Sequence, residues 1–289
     1  MNKKRLPALL TSITLVIFTP IFLFTLASSV NAATAPNLGT AGSYSAFGKA
    51  GVTNNSAVGT THLWGNVGAD LLSSITNLVA SQVDGAIIAP AAGVESAILS
   101  AYGALASQPL TTITPINLAV NNTVGPGVYD VQASTLAGTT LTLSGSGVYI
   151  FRSSSSISTS GSAMVKLTNG ATACNVFWQI PAAMTIGTGT QMVGTIIADT
   201  QLISLATGAT LQGRALSRIA QVTLDNSQIT TPGSCTTTAP TAPTPSPAPT
   251  APSAPTAPTA PTAPSAPTPP PGFSVCPTPT NFCTSLRCR

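Results

Sequence analysis

Between Val148 and Thr230 a short pattern of apolar and Thr, Ser or Gly residues returns about every twenty residues, and this internal repeat restricts the fold more than any other feature of the chain. Ile157 to Met164, Ile186 to Met192 and Leu205 to Leu211 can be laid over one another, and Leu224 to Ile229 is a weaker fourth copy. A run with strand-like alternation accompanies each copy: Val148 to Phe151, Val176 to Ile180, Ile196 to Ala198 and Val222 to Leu224. Alternation sends successive side chains to opposite faces, so one set points inward and the other outward. A unit of strand, Gly-bearing turn and strand cannot bury its apolar side alone. Copies must stack and share one core, which describes a β-solenoid. Outward Thr and Ser then form columns on a flat face at the ~4.8 Å spacing of neighbouring strands. In this alignment Thr185 stands with Ser204 and Thr223, and Thr159 with Thr188 and Thr207.

The segments Gly194-Thr-Ile-Ile-Ala-Asp199, Gly208-Ala-Thr-Leu-Gln-Gly-Arg-Ala-Leu216 and Val222-Thr-Leu-Asp-Asn-Ser-Gln-Ile229 resemble the C-terminal coils of the DUF3494 ice-binding proteins. The opening, Leu38-Gly-Thr-Ala-Gly-Ser-Tyr-Ser-Ala-Phe-Gly48, is similar to theirs as well. The likeness runs from about Leu38 to Thr230 and is most specific between Gly208 and Leu216. It implies a mostly β fold: a discontinuous right-handed β-helix (solenoid) of triangular cross-section with one long α-helix packed alongside. It also implies adsorption to ice through one flat face, with no cofactor.

Charged residues make up 6% of the chain against a usual quarter, which is unlike an ordinary cytosolic enzyme. The formal charge of +4 owes much to Lys3, Lys4 and Arg5, which precede an apolar run from Leu9 to Leu26. The run ends in Ala27-Ser-Ser-Val-Asn-Ala32, with Val30 and Ala32 as the small residues of a cleavage site. Residues 1–32 therefore read as a secretory signal peptide rather than an anchor, and the protein as secreted, with cell-surface or matrix association left open. Without those three residues, seven basic side chains face six acidic ones, and no basic patch remains for nucleic acid. Five cysteines agree with an oxidising compartment. Cys174 and Cys235 stand apart in the repeat region as disulfide candidates, stapling the final strand to an earlier coil. Cys276, Cys283 and Cys288 form an odd set, so one is free or pairs between molecules.

The expected ice-binding β-helix domain covers residues 33–235. Val52 to Val58 and His62 to Gly68 read as its first coils. Between about 92 and 107 the period changes, with Val94, Ile98, Ala101, Tyr102 and Leu105 at helical spacing and Pro109 as a stop. This Ala-rich, one-sided helix suits packing against a sheet. Strands resume with Ile116 to Val120, Gly127 to Val131 and Thr139 to Leu143. Residues 236–271 are a Pro/Thr/Ala-rich linker of extended polyproline type. Residues 272–289 are a Cys-containing tail, either a tether to matrix or cell surface or simply an end.

Solenoids also carry polysaccharide lyases and hydrolases, which need paired carboxylates, basic groups or a metal cluster. The chain has one Glu past the leader, Glu95 on the helix, where it reads as a solvated first-turn residue, and one His, His62, with no obvious acidic neighbour. Asp130, Asp199 and Asp225 have Arg152, Arg214 and Arg218 as candidate salt-bridge partners. No zinc spacing, phosphate loop or nucleophile elbow occurs. The reading is a non-enzyme with no small-molecule substrate. Ice presents a dense, uncharged lattice of donors and acceptors while liquid water competes for every polar group. A rigid array of Thr, Ser and Ala could order interfacial water, its methyls limiting that water and its hydroxyls anchoring it. The candidate residues are Thr207 and Thr210 of a Thr-Gly-X-Thr unit with Thr159, Thr188 and Thr190, and the column Thr185, Ser204 and Thr223 continued by Thr53, Asn55 and Ser56. Gln191, Gln201 and Gln221 interrupt the pattern. The alternative is a cell-surface adhesin or matrix protein in which the solenoid is a stalk or glycan-binding platform.

Overall fold

The computed structural model describes residues 32–56, 61–112, 114–131, 135–233 and 235. Apart from Ala32, the expected leader, the linker and the tail lie outside the described residues. Strands dominate, with a single α-helix, Val94–Ala106, among the described residues. All named strand pairs are parallel and fall into a seven-stranded and a thirteen-stranded sheet.

The larger sheet is really two ladders joined through two long strands. In Gln191–Ala198, Gln191 pairs with Met164, whereas residues 195–198 pair with Phe177 to Ile180. The change of partner happens at Gly194, where φ is +108°, directly beside Gly213 of Thr210–Ser217. A Cβ on Gly213 would sit 1.8 Å from the Gly194 carbonyl oxygen, so only glycine permits this corner. With the seven-stranded sheet, the chain thus visits three ladders in turn. This explains why the repeat measures about twenty residues: each return supplies three short strands and their turns.

The ladders are not stacked in chain order. Tyr44–Gly48 pairs with Thr210–Ser217, Gly51–Asn54 with Gln221–Leu224, and His62–Trp64 with Gln228–Thr230. The first strands of the domain therefore continue from the last ones, while the strands that follow the helix begin the stack at its other end. Cys174 is bonded to Cys235, with Cα atoms 5.4 Å apart, and holds the end of the final strand segment against the turn before Val176–Ile180.

Inward columns such as Ile157, Met184, Ile203, Val222, Val52 and Ile75 run through the main core. Tyr129, Phe151 and Trp178 stack on successive strands with centroids 5.8 and 4.4 Å apart, each pair contributing roughly 1 kcal/mol beyond its buried area. The Trp178 indole N–H donates to the Val193 carbonyl at 2.9 Å, so its polar end is satisfied in the interior.

The helix seals the outer side of one ladder. Val94, Ile98, Ala101 and Leu105 are buried in a second cluster with Phe47, Val128, Ile150, Phe177, Ile197 and Leu216. Tyr102, expected on this face, is only half-buried. Glu95 is not merely a solvated first-turn residue, since it pairs with Lys49 and Arg218. Arg152 donates to the Ala106 and Gln108 carbonyls at 2.9 and 3.0 Å, closing the C-terminal end of the helix. Ile116 to Val120 does not form the expected strand: Ile116 makes only an isolated bridge with Val131, and the next strand, Asn122–Val124, pairs with Thr140–Ser144 on a different ladder.

Candidate functional site: a hydroxyl column on the seven-stranded sheet

The seven-stranded sheet has its inner side in the core, and its outer side is not covered by the helix. Register places Thr135, Ser158, Thr185, Ser204, Thr223, Thr53 and Thr76 opposite one another on successive strands. Every position of this outward column is a hydroxyl residue, and none is buried. Six strand-to-strand steps give it a length of ~29 Å. At the ends neighbouring hydroxyls bond to each other, Thr135 with Ser158 at 3.1 Å and Thr76 to Thr53 at 3.0 Å. Among the described residues, the hydroxyls of Thr185, Ser204 and Thr223 have no partner in the protein and face solvent.

The residues that follow these strands stay in register, as the amides of Ala206, Asp225 and Asn55 donate to the carbonyls of Ile186, Leu205 and Leu224. Asp225 is the one charged side chain in that flanking row, and it accepts a hydrogen bond from the Thr207 hydroxyl at 2.7 Å. Gln201 precedes and Gln221 begins a strand at the opposite margin of the sheet, leaving the central column uninterrupted. Thr135, Ser158 and Thr76 were not among the residues expected from the sequence. Counting outward from buried Ile157 would have found Ser158, because its neighbour in a strand must point the other way.

The second set of expected residues does not form one face. Thr188 and Thr207 are exposed in stacked turns, where the Gly189 amide donates to the Thr207 carbonyl at 3.1 Å. Thr159 and Thr190 are buried and bonded to each other at 2.9 Å, so neither reaches the surface. Thr159 lies within Ile157–Ser160, and alternation from Ile157 directs it inward, in register with Leu136. In the later copies the strand has already ended at the matching turn, so the alignment of Thr159 with Thr188 and Thr207 equated a strand position with turn positions. Thr210 has passed the corner and pairs with Gln191 and Gln228 on a different ladder. Asn55 is exposed beside the column, whereas Ser56 is half-buried and its amide donates to Asn54 Oδ1.

The third ladder is chemically different on its outer side. It carries Met164, Gln191, Thr210, Gln228 and His62 in one register, with Lys166 and Trp64 nearby. His62 has the acidic neighbour that local sequence did not reveal: its Nε2 lies 2.9 Å from Asp84 Oδ1, and its ring is 4.3 Å from that of Trp64. Asp130 and Asp199 are paired with Arg152 and Arg218, beside the helix. Arg214 instead donates through Nε to the Gly42 carbonyl at 2.8 Å. Among the described residues no group of three or more His, Cys, Asp or Glu side chains is placed to hold a metal ion.

The site is thus a regular surface array of hydroxyls on a stacked parallel sheet, not a cleft around reactive groups. The ice-binding-like family matches residues 46–230, and the chain belongs to that family. It is 34% identical over 213 residues to an ice-binding protein of Nostoc sp. (strain HG1), covering 70% of this chain and 76% of the relative. Among solved structures, an ice-binding protein of an Antarctic Flavobacteriaceae bacterium aligns with a TM-score of 0.61 at 32% identity. That alignment covers 69% of this chain and 48% of the bacterial one, so the likeness spans about half of the latter. The ice-binding protein of the Antarctic ascomycete Antarctomyces psychrotrophicus aligns with a TM-score of 0.59 at 30% identity, over 70% of this chain and all of that one.

Proposed function

We propose that this is a secreted protein that adsorbs to ice through the outer side of the seven-stranded sheet and thereby inhibits ice growth and recrystallisation. The three ladders are read as the faces of a right-handed β-helix of triangular cross-section. The observation that carries the proposal is the unbroken column of seven Thr and Ser residues from Thr135 to Thr76. A charged group would keep its own hydration shell, whereas regularly spaced hydroxyls and methyls can hold water in an ordered layer that merges with the lattice. Each contact is weak. Many contacts on a face anchored by inward Ile, Leu and Val columns add up, because little side-chain or backbone freedom remains to be lost. Family membership supports the same reading.

Secretion is the accompanying proposal, supported by the leader-like sequence before Ala33 and by the Cys174–Cys235 disulfide. Recrystallisation in a sucrose solution annealed below freezing tests the function. Grains held at their starting size by micromolar protein, but not by heat-denatured protein, support it; grains that coarsen as in buffer refute it.

A further inference from the structure

A cleft of about 950 Å³ opens where the first residues of the domain cross its last ones. Ala35, Leu38, Val148, Phe177 and Pro232 give it a largely apolar wall, and Cys174 and Cys235 contribute the disulfide to its rim. Among the described residues one charged side chain lines it, Arg214 from the family-like segment between Gly208 and Leu216. This guanidinium is unusual for the chain, because the other described arginines, Arg152 and Arg218, have carboxylate partners.

Arg214 is 7% exposed and uses only Nε, toward the Gly42 carbonyl. Among the described residues its two terminal amino groups have no partner and no carboxylate lines the cleft. The hydroxyl in register on one adjacent strand does not serve it either: Thr195 is buried with its own Oγ1 unbonded. Burial pushes the guanidinium pKa below its usual value, the direction expected when a charge is partly withdrawn from water. The terminal nitrogens open on the cleft, where an anion replaces water with charge-assisted hydrogen bonds.

We propose that this cleft binds an organic monocarboxylate with an apolar body, its carboxylate held by the terminal amino groups of Arg214 and its body lying along Ala35, Leu38, Val148 and Phe177. A single cation matches a single negative charge, and the apolar wall favours an alkyl or aryl chain over inorganic phosphate or sulfate. The volume lies within the range of small-molecule sites. The inference is independent of ice binding, since Arg214 is on the helix-side ladder and not on the seven-stranded sheet.

Decanoate is the probe, titrated calorimetrically below its micelle concentration into the chain beginning at Ala33, with decanol as its uncharged counterpart. Decanoate should bind at least about tenfold more tightly than decanol, the usual size of a charge-assisted contact. The Arg214→Gln variant should lose that preference. Equal binding of acid and alcohol, no heat with decanoate, or unchanged affinity in Arg214→Gln would each overturn the proposal. Because Arg214 also anchors Gly42, a second variant, Ser43→Trp at the exposed rim, tests the location separately. It should abolish decanoate binding while leaving the melting temperature in place, and retained binding would put the ligand elsewhere and refute the assignment.

Discussion

Thr223 and Thr53 are register partners in a parallel strand pair although they come from the last and the first strands of the domain. The other two ladders close across the same seam, through Ala215 with Ala46 and Ile229 with Leu63. One level of the stack is therefore assembled from both ends of the domain. Long-range pairing of this kind has to form before the hydroxyl column is continuous, which makes the column a property of the complete fold and not of any one repeat.

A disulfide pins the segment that follows the last strand of this seam. Replacing Cys174 and Cys235 by Ser should lower stability by about 2–4 kcal/mol, or roughly 5–15 °C in Tm for a domain of this size. Thermal melts followed by circular dichroism check this. A shift within error would mean that strand pairing alone closes the seam.

The corner at Gly194 and Gly213 should tolerate no side chain. Gly213→Ala places a methyl against the Gly194 carbonyl, a rigid backbone atom that cannot swing away. A loss of about 3 kcal/mol or more is expected, at the upper end of overpacking costs. Denaturant unfolding measures it. Gly103→Ala, where an added Cβ meets nothing in the helix, should instead be neutral or stabilising.

Stability should fall on the alkaline side through a buried phenol. Tyr149 donates to the Gly145 carbonyl at 2.7 Å, and burial, with a smaller effect of Tyr129, pushes its pKa up from 10.0 to about 12. The folded protein thus holds this proton more tightly than the unfolded chain. Its contribution is fully present below about pH 10 and is lost as pH rises through the folded value near 12. Unfolding free energies measured from pH 8 upward should stay level to about pH 10 and then decline. The decline should be shallower in Tyr149→Phe, and an equal slope in both proteins would contradict the assignment.

Much of this was legible in the residues, and what was not has a physical reason. Ile186, Leu205 and Leu224 recur with the strand spacing, so the order Thr185, Ser204 and Thr223 could be read directly and agrees with the register. The helix was equally plain, because the period of Val94, Ile98, Ala101 and Leu105 differs from the strands around it. Thr159 and Thr190 misled because a Thr has the same name whether a strand turns it inward or a turn leaves it outside. Only the length of Ile157–Ser160 separates the two cases. The pairing of His62 with Asp84 was invisible because neighbouring levels of the stack, not neighbouring residues, bring them together.

Thermal hysteresis of three single variants decides whether ice meets the seven-stranded sheet. Thr185→Tyr and Thr223→Tyr put bulk in the middle of the hydroxyl column, while Gln212→Tyr puts the same ring on the exposed outer side of the third ladder. All three should keep the parent melting temperature. The first two should lose most of the freezing-point gap, and Gln212→Tyr should keep it. Full activity in Thr185→Tyr and Thr223→Tyr, with loss in Gln212→Tyr, would contradict this and move the ice contact to the third ladder.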